Sequence, residues 1–398
     1  MDKLTVEDLD LKGKRVLMRV DFNVPLESGR VVNDKRIRAA LPTINYITNH
    51  GGKLILMSHL GRPKGKRVPE MSLEPCVTVL NALLGRKTKF VGDCIGPDVD
   101  RAVESLGEGE ILLLQNLRYY QQETENDPDF AAQLAKLGDV YVNDAFGTAH
   151  RAHASTEGVT HYIDKCAAGY LLMKEIAYLG GVLQNPDSPF VAILGGAKIS
   201  GKIDIISNLL PRVDTIIIGG GMAYTFFKAQ EKEIGKSLLE EDKIELAKEL
   251  LTKGAEKLIL PVDCMVSDTF DFEARKVGDL KSVSADAIPA DTYSLDIGPQ
   301  SIEKFRSIIT AAKTIVWNGP MGVFEIEDTA RGTFAIANAL ADATANGATT
   351  IIGGGDSASA VDRAGVSDKV SHVSTGGGAS LEFMEGKVLP GVAALTDK

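Results

Sequence analysis

Short apolar runs that end in glycine or polar residues recur along the chain, and this pattern most constrains its fold. Such runs, rich in Val, Ile and Leu, are typical of parallel strands buried on both faces. They lie at residues 15–21, 53–58, 111–115, 139–142, 190–194, 215–218, 257–260, 314–317 and 349–352. Segments with helical periodicity lie between them, at residues 73–84, 128–137, 204–209, 240–253, 301–310 and 329–345. The alternation predicts βαβ units and an α/β fold.

The length of 398 residues exceeds one ordinary core, and a prior of one domain per ~150 residues favours two lobes. We expect two doubly wound parallel-sheet, Rossmann-like lobes joined by a helix and hinge. Pro186 and Pro189 stop a helical pattern at residues 173–183 and mark the division. The sequence therefore predicts a first lobe at 1–172, a connecting helix and hinge at 173–186, and a second lobe at 187–380.

Composition excludes several kinds of partner. A net charge of −10 argues against nucleic acid or an anionic membrane surface, since both need a basic footprint. The four cysteines are widely spaced without a C-x-x-C pair, which fits neither a disulfide framework nor a zinc site. The charged N-terminus lacks the apolar core of a signal peptide, and no uncharged stretch reaches the ~20 residues of a membrane helix. We expect a cytoplasmic monomer.

In the first half of the chain, cations follow the predicted strands. Ligands of open α/β sheets bind beyond the carboxyl ends of the strands, where guanidinium groups can hold phosphate or carboxylate oxygens. The polar residues at these positions are Arg19, Asp21, Asn23, His59, Arg62, Arg118, His150, Arg151 and His153, and Arg36 lies in a loop-to-helix segment. Any one arginine could instead pair with a neighbouring carboxylate, but four strand ends favour an anion site. A metal pair at His150 and His153 is disfavoured, because no third ligand follows at a usual spacing.

In the second half, glycines follow the strands instead. Gly196 to Lys202 fits the phosphate-loop pattern G-x-x-x-x-G-K, but Ile203 replaces the hydroxyl residue that would hold Mg²⁺. Further glycine turns lie at residues 219–221, 318–320, 353–355 and 375–378. One such cluster is explained by tight turning alone, whereas five in one lobe favour a nucleotide site built from backbone N–H groups. Lys198 and Lys202 are candidate phosphate contacts.

Asp356 is the candidate metal ligand that Ile203 fails to provide, and its alternative role is to cap a helix near Ser357. Gly353-x-Gly355-x-x-Ala358 also fits the loose dinucleotide fingerprint, so an NAD-dependent oxidoreductase is an alternative. No strand with an acidic end follows ~20 residues later, which weakens that alternative. Glu325 suits a ribose contact or an ordinary surface charge. A non-enzymatic nucleotide-binding protein is the other alternative.

Several motifs together resemble the phosphoglycerate kinase family. They are Arg19-Val-Asp-Phe-Asn-Val-Pro25, Ser58-His-Leu-Gly-Arg-Pro63, Asp144-Ala-Phe-Gly-Thr-Ala-His-Arg151, Gly195-Gly-Ala-Lys198, Trp317-Asn-Gly-Pro320, Gly353-Gly-Gly-Asp356 and Ser374-Thr-Gly-Gly-Gly-Ala-Ser380. The resemblance spans essentially the whole chain. It implies reversible phosphoryl transfer from 1,3-bisphosphoglycerate to MgADP, giving 3-phosphoglycerate and MgATP in glycolysis. It also implies that a C-terminal segment, 381–398, returns to pack on the first lobe.

The resemblance assigns a triose site to the first lobe and a nucleotide site to the second, so that direct in-line transfer requires hinge closure. The triose site would comprise Asp21, Asn23, Arg36, His59, Arg62, Arg118 and Arg151. The nucleotide site would comprise Gly195, Lys198, Lys202, Gly219, Gly220, Asn318, Pro320, Glu325, Gly353, Gly354, Gly355, Asp356 and Ser357, with Asp356 on Mg²⁺. Arg36 and Lys202 are the expected catalytic residues, because they can stabilise charge on the transferring phosphoryl group.

Overall fold

A computed structural model describes residues 2–398, which divide into two compact units. Unit 1 comprises the chain up to Ala177 together with Val388–Lys398. Unit 2 comprises Tyr178–Lys387. The first division falls inside a helix, and the second falls after the helix that ends at Met384.

Unit 1 is built on a six-stranded parallel sheet. Its strands are β1 (Arg15–Arg19), β4 (Lys53–Met57), β5 (Thr88–Phe90), β6 (Ile111–Leu113), β7 (Val140–Asn143) and β8 (Cys166–Ala168), while β2 (Leu26–Glu27) and β3 (Arg30–Val31) form a separate hairpin. The strand order in the sheet is β5-β6-β4-β1-β7-β8. In β1 and β4, every residue after the first is buried, as expected for strands covered on both faces.

Helices cover this sheet. They are α1 (Lys35–Asn49), α2 (Glu74–Leu84), α3 (Pro97–Glu104), α4 (Gln121–Glu125), α5 (Pro128–Ala135) and α6 (Tyr170–Gln184). The apolar residues of α1, including Ile37 and Ile44, pack with Val16 and Met18 of β1 in one core. Helix α6 begins in unit 1 and continues into unit 2.

The C-terminal residues of the chain belong to unit 1. Leu4 donates its backbone N–H to the carbonyl of Thr396, and Thr396 donates to the carbonyl of Cys166 at the start of β8. Helix α14 (Pro390–Ala393) lies against the loop after β7, since Gly391 donates to the carbonyl of Ala149 over 2.8 Å. These contacts involve residues 388–398, whereas the preceding residues up to 387 belong to unit 2.

Unit 2 is built on a second six-stranded parallel sheet. Its strands are β9 (Phe190–Leu194), β10 (Thr215–Ile218), β11 (Leu258–Ile259), β17 (Thr314–Asn318), β18 (Thr349–Gly353) and β19 (His372–Val373). Their order is β11-β10-β9-β17-β18-β19. All five residues of β9 and of β17 are buried, which places these two strands at the centre of the core.

Antiparallel strands and further helices complete unit 2. The strands are β12 (Asp263–Ser267), β13 (Phe270–Asp271), β14 (Lys276–Val277), β15 (Lys281–Ser284) and β16 (Tyr293–Ile297). The helices are α7 (Ile203–Leu209), α8 (Met222–Ala229), α9 (Ile244–Gly254), α10 (Pro299–Ala311), α11 (Arg331–Ala345), α12 (Gly355–Arg363) and α13 (Gly378–Met384). Residues of α10 and α11, such as Phe305 and Ile336, pack with Ile315 and Trp317 of β17.

The predicted fold class is confirmed, and each apolar run in the sequence coincides with a strand of one of the two sheets. The strands that the sequence did not predict are short or lie outside the large sheets. Strands β5, β8 and β19 have two or three residues each, too few for a periodic signal. Strand β15 is mostly exposed, so it lacks an apolar run.

Candidate active site

The strand order of each sheet reverses at one position. In open α/β folds, ligands bind in the crevice at such a position. In unit 1 the chain first builds from β1 towards β4, β6 and β5, and then adds β7 and β8 on the opposite side of β1. In unit 2 it builds from β9 towards β10 and β11, and then adds β17, β18 and β19 on the opposite side. The chain segments that leave β1, β7, β9 and β17 therefore surround the two expected crevices.

Arg36 is held beside the end of β1. It is the second residue of α1, and its Nη1 lies 3.1 Å from Oδ2 of Asp21. The same nitrogen donates to the carbonyl of Asn23 over 3.0 Å. Oδ1 of Asn23 accepts from the N–H of Gly61 over 2.9 Å, which ties the segment after β1 to the segment after β4. The structure thus brings Asp21, Asn23 and Arg36 together, as the sequence predicted, and 37% of the Arg36 side chain is exposed.

Arg118 and His59 lie in the same region but are more buried. Arg118 donates from Nη1 to the carbonyl of Gly61 over 2.9 Å. Burial, together with the charge of Arg19, lowers the pKa of Arg118 to about 10. Nε of Arg118 is buried without a hydrogen-bond partner among residues 2–398, so one donor in this region is unsatisfied. An unsatisfied buried donor fits a site that binds an anion.

Arg62 and Arg151 are exposed. Within residues 2–398, neither these two arginines nor Arg118 forms an ion pair with a carboxylate, whereas Arg36 pairs with Asp21. Of the four arginines assigned to the triose site, simple pairing with a neighbouring carboxylate therefore accounts for Arg36 and not for the other three, while Arg19 lies 4.0 Å from Glu123. Nε of Arg151 lies 3.1 Å from Nε2 of His150. His153 is buried, and its Nδ1 lies 3.9 Å from Oε1 of Glu123.

The sequence did not predict a buried polar network beneath these residues. Arg19, Glu123 and Ser155 are all fully buried. Oγ of Ser155 donates to Oε1 of Glu123 over 2.6 Å and accepts from Nε of Arg19 over 2.8 Å. Arg19 ends a predicted strand, so its position was visible in the sequence. Glu123 follows two tyrosines and two glutamines in a polar stretch that is typical of an exposed helix, so no signal marked it as buried.

In unit 2, Lys202 and Asn318 meet at the reversal between β9 and β17. Nζ of Lys202 donates to Oδ1 of Asn318, the last residue of β17. Burial lowers the pKa of Lys202 to about 8, while the carboxylates of Asp356 and Glu385 act in the opposite direction. Nδ2 of Asn318 is buried without a partner among the described residues 2–398. This lysine is therefore partly desolvated and close to a free amide donor.

The glycines around this reversal pack backbone against backbone. A Cβ on Gly195 would lie 2.1 Å from the carbonyl oxygen of Pro320, and one on Gly319 would lie 2.2 Å from the oxygen of Gly195. A Cβ on Gly219 would lie 2.4 Å from Sδ of Met321, and Gly220 has a φ of +67°. Close packing, and at Gly220 also the left-handed backbone, therefore requires these glycines whatever they bind.

The segment after β18 begins α12. Gly354 has a φ of +86° and precedes the helix, which starts at Gly355. Oγ of Ser357, which is buried, accepts from the N–H of Gly319 over 2.6 Å. The hydroxyl of Ser357 is thus engaged in joining two turns of the site. A Cβ on Gly355 would meet no atom within 4 Å beyond its chain neighbours and its own helix, so its surroundings are open.

The remaining predicted nucleotide residues differ in exposure. Lys198 is exposed, Glu325 is partly exposed and Pro320 is buried. The carbonyl of Pro320 accepts from the N–H of Gly196 over 2.9 Å, so it helps to shape the loop that contains Lys198. Lys202 immediately precedes α7, so the loop that contains Lys198 leads directly into a helix. This is the order of loop and helix that a phosphate-binding loop has.

Asp356 offers one carboxylate for a metal ion. It is exposed in the first turn of α12. Among residues 2–398, no three His, Cys, Asp or Glu side chains are grouped so that they could hold a metal. Mg²⁺ is often bound by one or two carboxylates together with water and substrate phosphates. A single exposed carboxylate near Lys202 fits that mode of binding and does not fit a closed metal site.

The helices described in residues 2–398 include none long and apolar enough to span a membrane.

Comparisons with known proteins agree on one family. Residues 6–387 match the family model for phosphoglycerate kinase. The chain is 58% identical to the phosphoglycerate kinase of Chloroherpeton thalassium over 400 residues, which covers 100% of both chains. It is also 58% identical to that of Chlorobaculum tepidum over 401 residues, again covering 100% of both. The solved structure of phosphoglycerate kinase from Coxiella burnetii has a TM-score of 0.89 and 41% identity, covering 98% of both chains.

The oxidoreductase and non-enzymatic alternatives are not supported by these matches. Phosphoglycerate kinases are phosphotransferases with a carboxyl group as acceptor, and they act in glycolysis on 3-phosphoglycerate and ADP or ATP. The chain belongs to the phosphoglycerate kinase family.

Proposed function

We propose that unit 1 binds the triose substrate, that unit 2 binds MgADP or MgATP, and that the phosphoryl group passes directly between them. The proposed triose contacts are Asp21, Asn23, Arg36, His59, Arg62, Arg118 and Arg151. The proposed nucleotide contacts are Gly195, Lys198, Lys202, Gly219, Gly220, Asn318, Pro320, Glu325, Gly353, Gly354, Gly355, Asp356 and Ser357. Because the substrates bind to different units, transfer requires hinge closure. We further propose a monomer that acts in the cytoplasm.

The reaction needs positioning and charge stabilisation more than proton transfer. In the direction that forms ATP, the carboxylate of 3-phosphoglycerate leaves, and in reverse it attacks. It is already ionised at neutral pH, so no general base is required. The remaining task is to align donor and acceptor and to stabilise charge on the equatorial phosphoryl oxygens. We assign this task to Arg36 from the triose side and to Lys202 from the nucleotide side.

The contacts of these two residues support the assignment. Arg36 is oriented by Asp21 and by the carbonyl of Asn23, yet its side chain remains partly exposed to a ligand. Lys202 is oriented by Asn318. Two cations that are each fixed by a neighbour lose little conformational freedom when the phosphoryl group arrives.

Asp356 would hold Mg²⁺, which neutralises negative charge on the nucleotide phosphates when it is bound. The carboxylate lies in the first turn of α12, close enough to Lys202 to raise the pKa of the lysine against the effect of burial. Ser357 supports this turn by joining α12 to Gly319.

One observation carries the proposal. The reversal of strand order in unit 1 is surrounded by arginines and a histidine, whereas the reversal in unit 2 is surrounded by glycine turns and a lysine. The first set suits a small phosphorylated acid, and the second suits a polyphosphate bound through backbone N–H groups.

The test is an assay of ATP formation from 1,3-bisphosphoglycerate and ADP, coupled to a reaction that consumes ATP. We expect turnover that depends on both substrates and on Mg²⁺. ATP formation without Mg²⁺ would contradict the proposal, as would a separate binding titration in which NADH binds more tightly than MgADP.

A further inference from the structure

We propose that Arg19, held by Glu123 through Ser155, fixes His59 as a neutral imidazole with its proton on Nε2, so that His59 acts as a hydrogen-bond donor to the triose ligand. The proposal rests on the assignment of His59 to the triose site. It makes Arg19, Ser155 and Glu123 positioning residues, which act on the ligand through His59.

The guanidinium of Arg19 determines which nitrogen of His59 carries the proton. Arg19 is fully buried at the end of β1. One amino nitrogen donates to the carbonyl of Val20, and the other lies 3.2 Å from Nδ1 of His59. A guanidinium has five donors and no acceptor, and it does not lose its proton in proteins. Nδ1 of His59 must therefore accept, which leaves the proton on Nε2.

Glu123 and Ser155 hold Arg19 in this orientation. Oγ of Ser155 accepts from Nε of Arg19, so its single proton is free to donate to Oε1 of Glu123. Oε2 of Glu123 accepts from the N–H of Ser155 over 3.0 Å. Burial raises the pKa of Glu123, and Arg19 is the strongest influence in the opposite direction. Because both carboxylate oxygens accept hydrogen bonds, the geometry fits the ionised side chain, which balances the charge of Arg19 at 4.0 Å.

The surroundings of His59 also oppose a second proton on its ring. The imidazole is buried. Burial lowers its pKa well below the ordinary value, and Arg19, Arg118, Arg36 and His153, the groups that face it, lower it further. An imidazolium would lose its ability to accept from Arg19 and would be repelled by three guanidinium groups.

The proton on Nε2 is therefore available to a ligand. The imidazole of His59 makes its hydrogen bond with Arg19 through Nδ1. Within residues 2–398, no group accepts a hydrogen bond from its Nε2. A neutral donor recognises an acceptor oxygen, such as a hydroxyl, carboxylate or phosphate oxygen, and it does so without changing charge as the pH varies. Arginines in the same region would supply the charge.

The first experiment is a long-range ¹H–¹⁵N NMR correlation of the full chain labelled with ¹⁵N-histidine. The His59 signal is assigned by its loss in His59→Gln. We expect the neutral pattern with the proton on Nε2 from about pH 5.5 to 8, the range in which an ordinary histidine titrates. A proton on Nδ1, or titration in this range, would overturn the proposal, and this measurement needs no substrate.

The second experiment separates this inference from the assignment of the triose site. Addition of 3-phosphoglycerate should shift the Nε2 signal. If the free protein has the expected tautomer but the ligand leaves His59 unchanged, the role of His59 in triose binding is wrong. If the ligand shifts His59 while the ring is protonated on Nδ1, the triose assignment stands and the proposed network fails.

Variants test the positioning role. Glu123→Gln replaces the carboxylate with a neutral amide whose one oxygen cannot accept from both the hydroxyl and the N–H of Ser155 as the two carboxylate oxygens do, and Ser155→Ala removes the link between Glu123 and Arg19. We expect each variant to raise the KM for 3-phosphoglycerate roughly tenfold while the KM for ATP is unchanged, and to abolish the single His59 tautomer. Glu157→Gln is the matched control, because Glu157 lies 2.6 Å from Nε2 of the exposed His161. An unaltered tautomer and KM in both test variants would contradict the proposal.

Discussion

Nζ of Lys202 donates to Oδ1 of Asn318, which places a partly desolvated lysine at the end of β17, where the strand order of the sheet reverses between β9 and β17. Burial lowers the pKa of Lys202 to about 8. In the free protein, the lysine therefore loses its proton as the pH rises through about 8, whereas an ordinary lysine would remain charged. Phosphate binding favours the charged form, so nucleotide affinity depends on this proton.

We predict that the dissociation constant for MgADP rises up to about tenfold per pH unit above pH 8, because binding must then recover the proton. Isothermal titration calorimetry between about pH 7 and 9.5 measures this dependence and the accompanying proton uptake. Lys202→Arg is the control, since a guanidinium remains charged across this range. Equal pH dependence in the two proteins would show that another group is responsible.

Arg36 gives a second prediction, for turnover. Replacing it with Ala removes a fixed cation from the proposed path of the phosphoryl group and leaves Asp21 without its partner. We expect kcat to fall on the order of 10³-fold, as for arginines that stabilise phosphoryl transfer. Steady-state kinetics in both directions would measure the loss.

Arg38→Ala is the matched control for Arg36. Arg38 lies on the same helix, pairs with Asp34 at 2.9 Å, and 57% of its side chain is exposed. We expect this variant to retain turnover. Near-normal kcat in Arg36→Ala would show that the assignment of Arg36 is wrong.

The sequence predicted the large sheets because burial on both faces imposes uniform apolar runs on their strands. The resemblance to the phosphoglycerate kinase family also assigned Arg36 and Asp21 to one triose site, although Arg36 does not directly follow a predicted strand, and the two side chains are paired in the structure. The sequence could not predict that Glu123 is buried, because a buried carboxylate is defined by its partners, Ser155 and Arg19, which lie far from it along the chain.

In the sequence, a glycine turn could be explained either by tight turning or by a nucleotide site. The structure shows why these two explanations are hard to separate. Gly195 and Gly319 pack so closely that neither tolerates a side chain, so their presence alone does not reveal a ligand. The hydroxyl of Ser357 likewise accepts from the N–H of Gly319, so a serine at this position has a structural role in addition to the proposed nucleotide contact. Such tertiary contacts between turns leave no periodic pattern in the sequence.

Asp144 gives a third prediction, for the dependence of stability on pH. Its Oδ1 accepts from the N–H groups of Leu171 and Leu172 at the start of α6, while Oδ2 is buried without a partner among residues 2–398. Burial raises its pKa to about 7 from an ordinary value of 3.8. Between these values the folded state keeps a proton that the unfolded state has lost, so this group's contribution to stability falls as the pH rises from about 4 to 7.

Asn cannot ionise, but its oxygen can still accept from both N–H groups. The free energy of unfolding of Asp144→Asn relative to the unmodified chain should therefore increase as the pH rises from about 4 to 7, by at most about 4 kcal/mol. Urea unfolding at pH values across this range would measure the difference. Asp98→Asn, at an exposed position, should show no such trend, and a flat profile for Asp144→Asn would refute the prediction.

Asp356 gives the last prediction, for the metal ion. Asn at this position keeps the size of the side chain but removes the charge that would hold Mg²⁺. We expect the affinity for Mg²⁺ in the presence of ADP to fall at least roughly tenfold, while the affinity for 3-phosphoglycerate is unchanged. Titration of Mg²⁺ at a fixed ADP concentration measures the first quantity, and binding of 3-phosphoglycerate alone measures the second. Asp362→Asn, on the same helix, is the control, and equal weakening of both ligands in Asp356→Asn would indicate a general disturbance of α12 instead of a lost metal ligand.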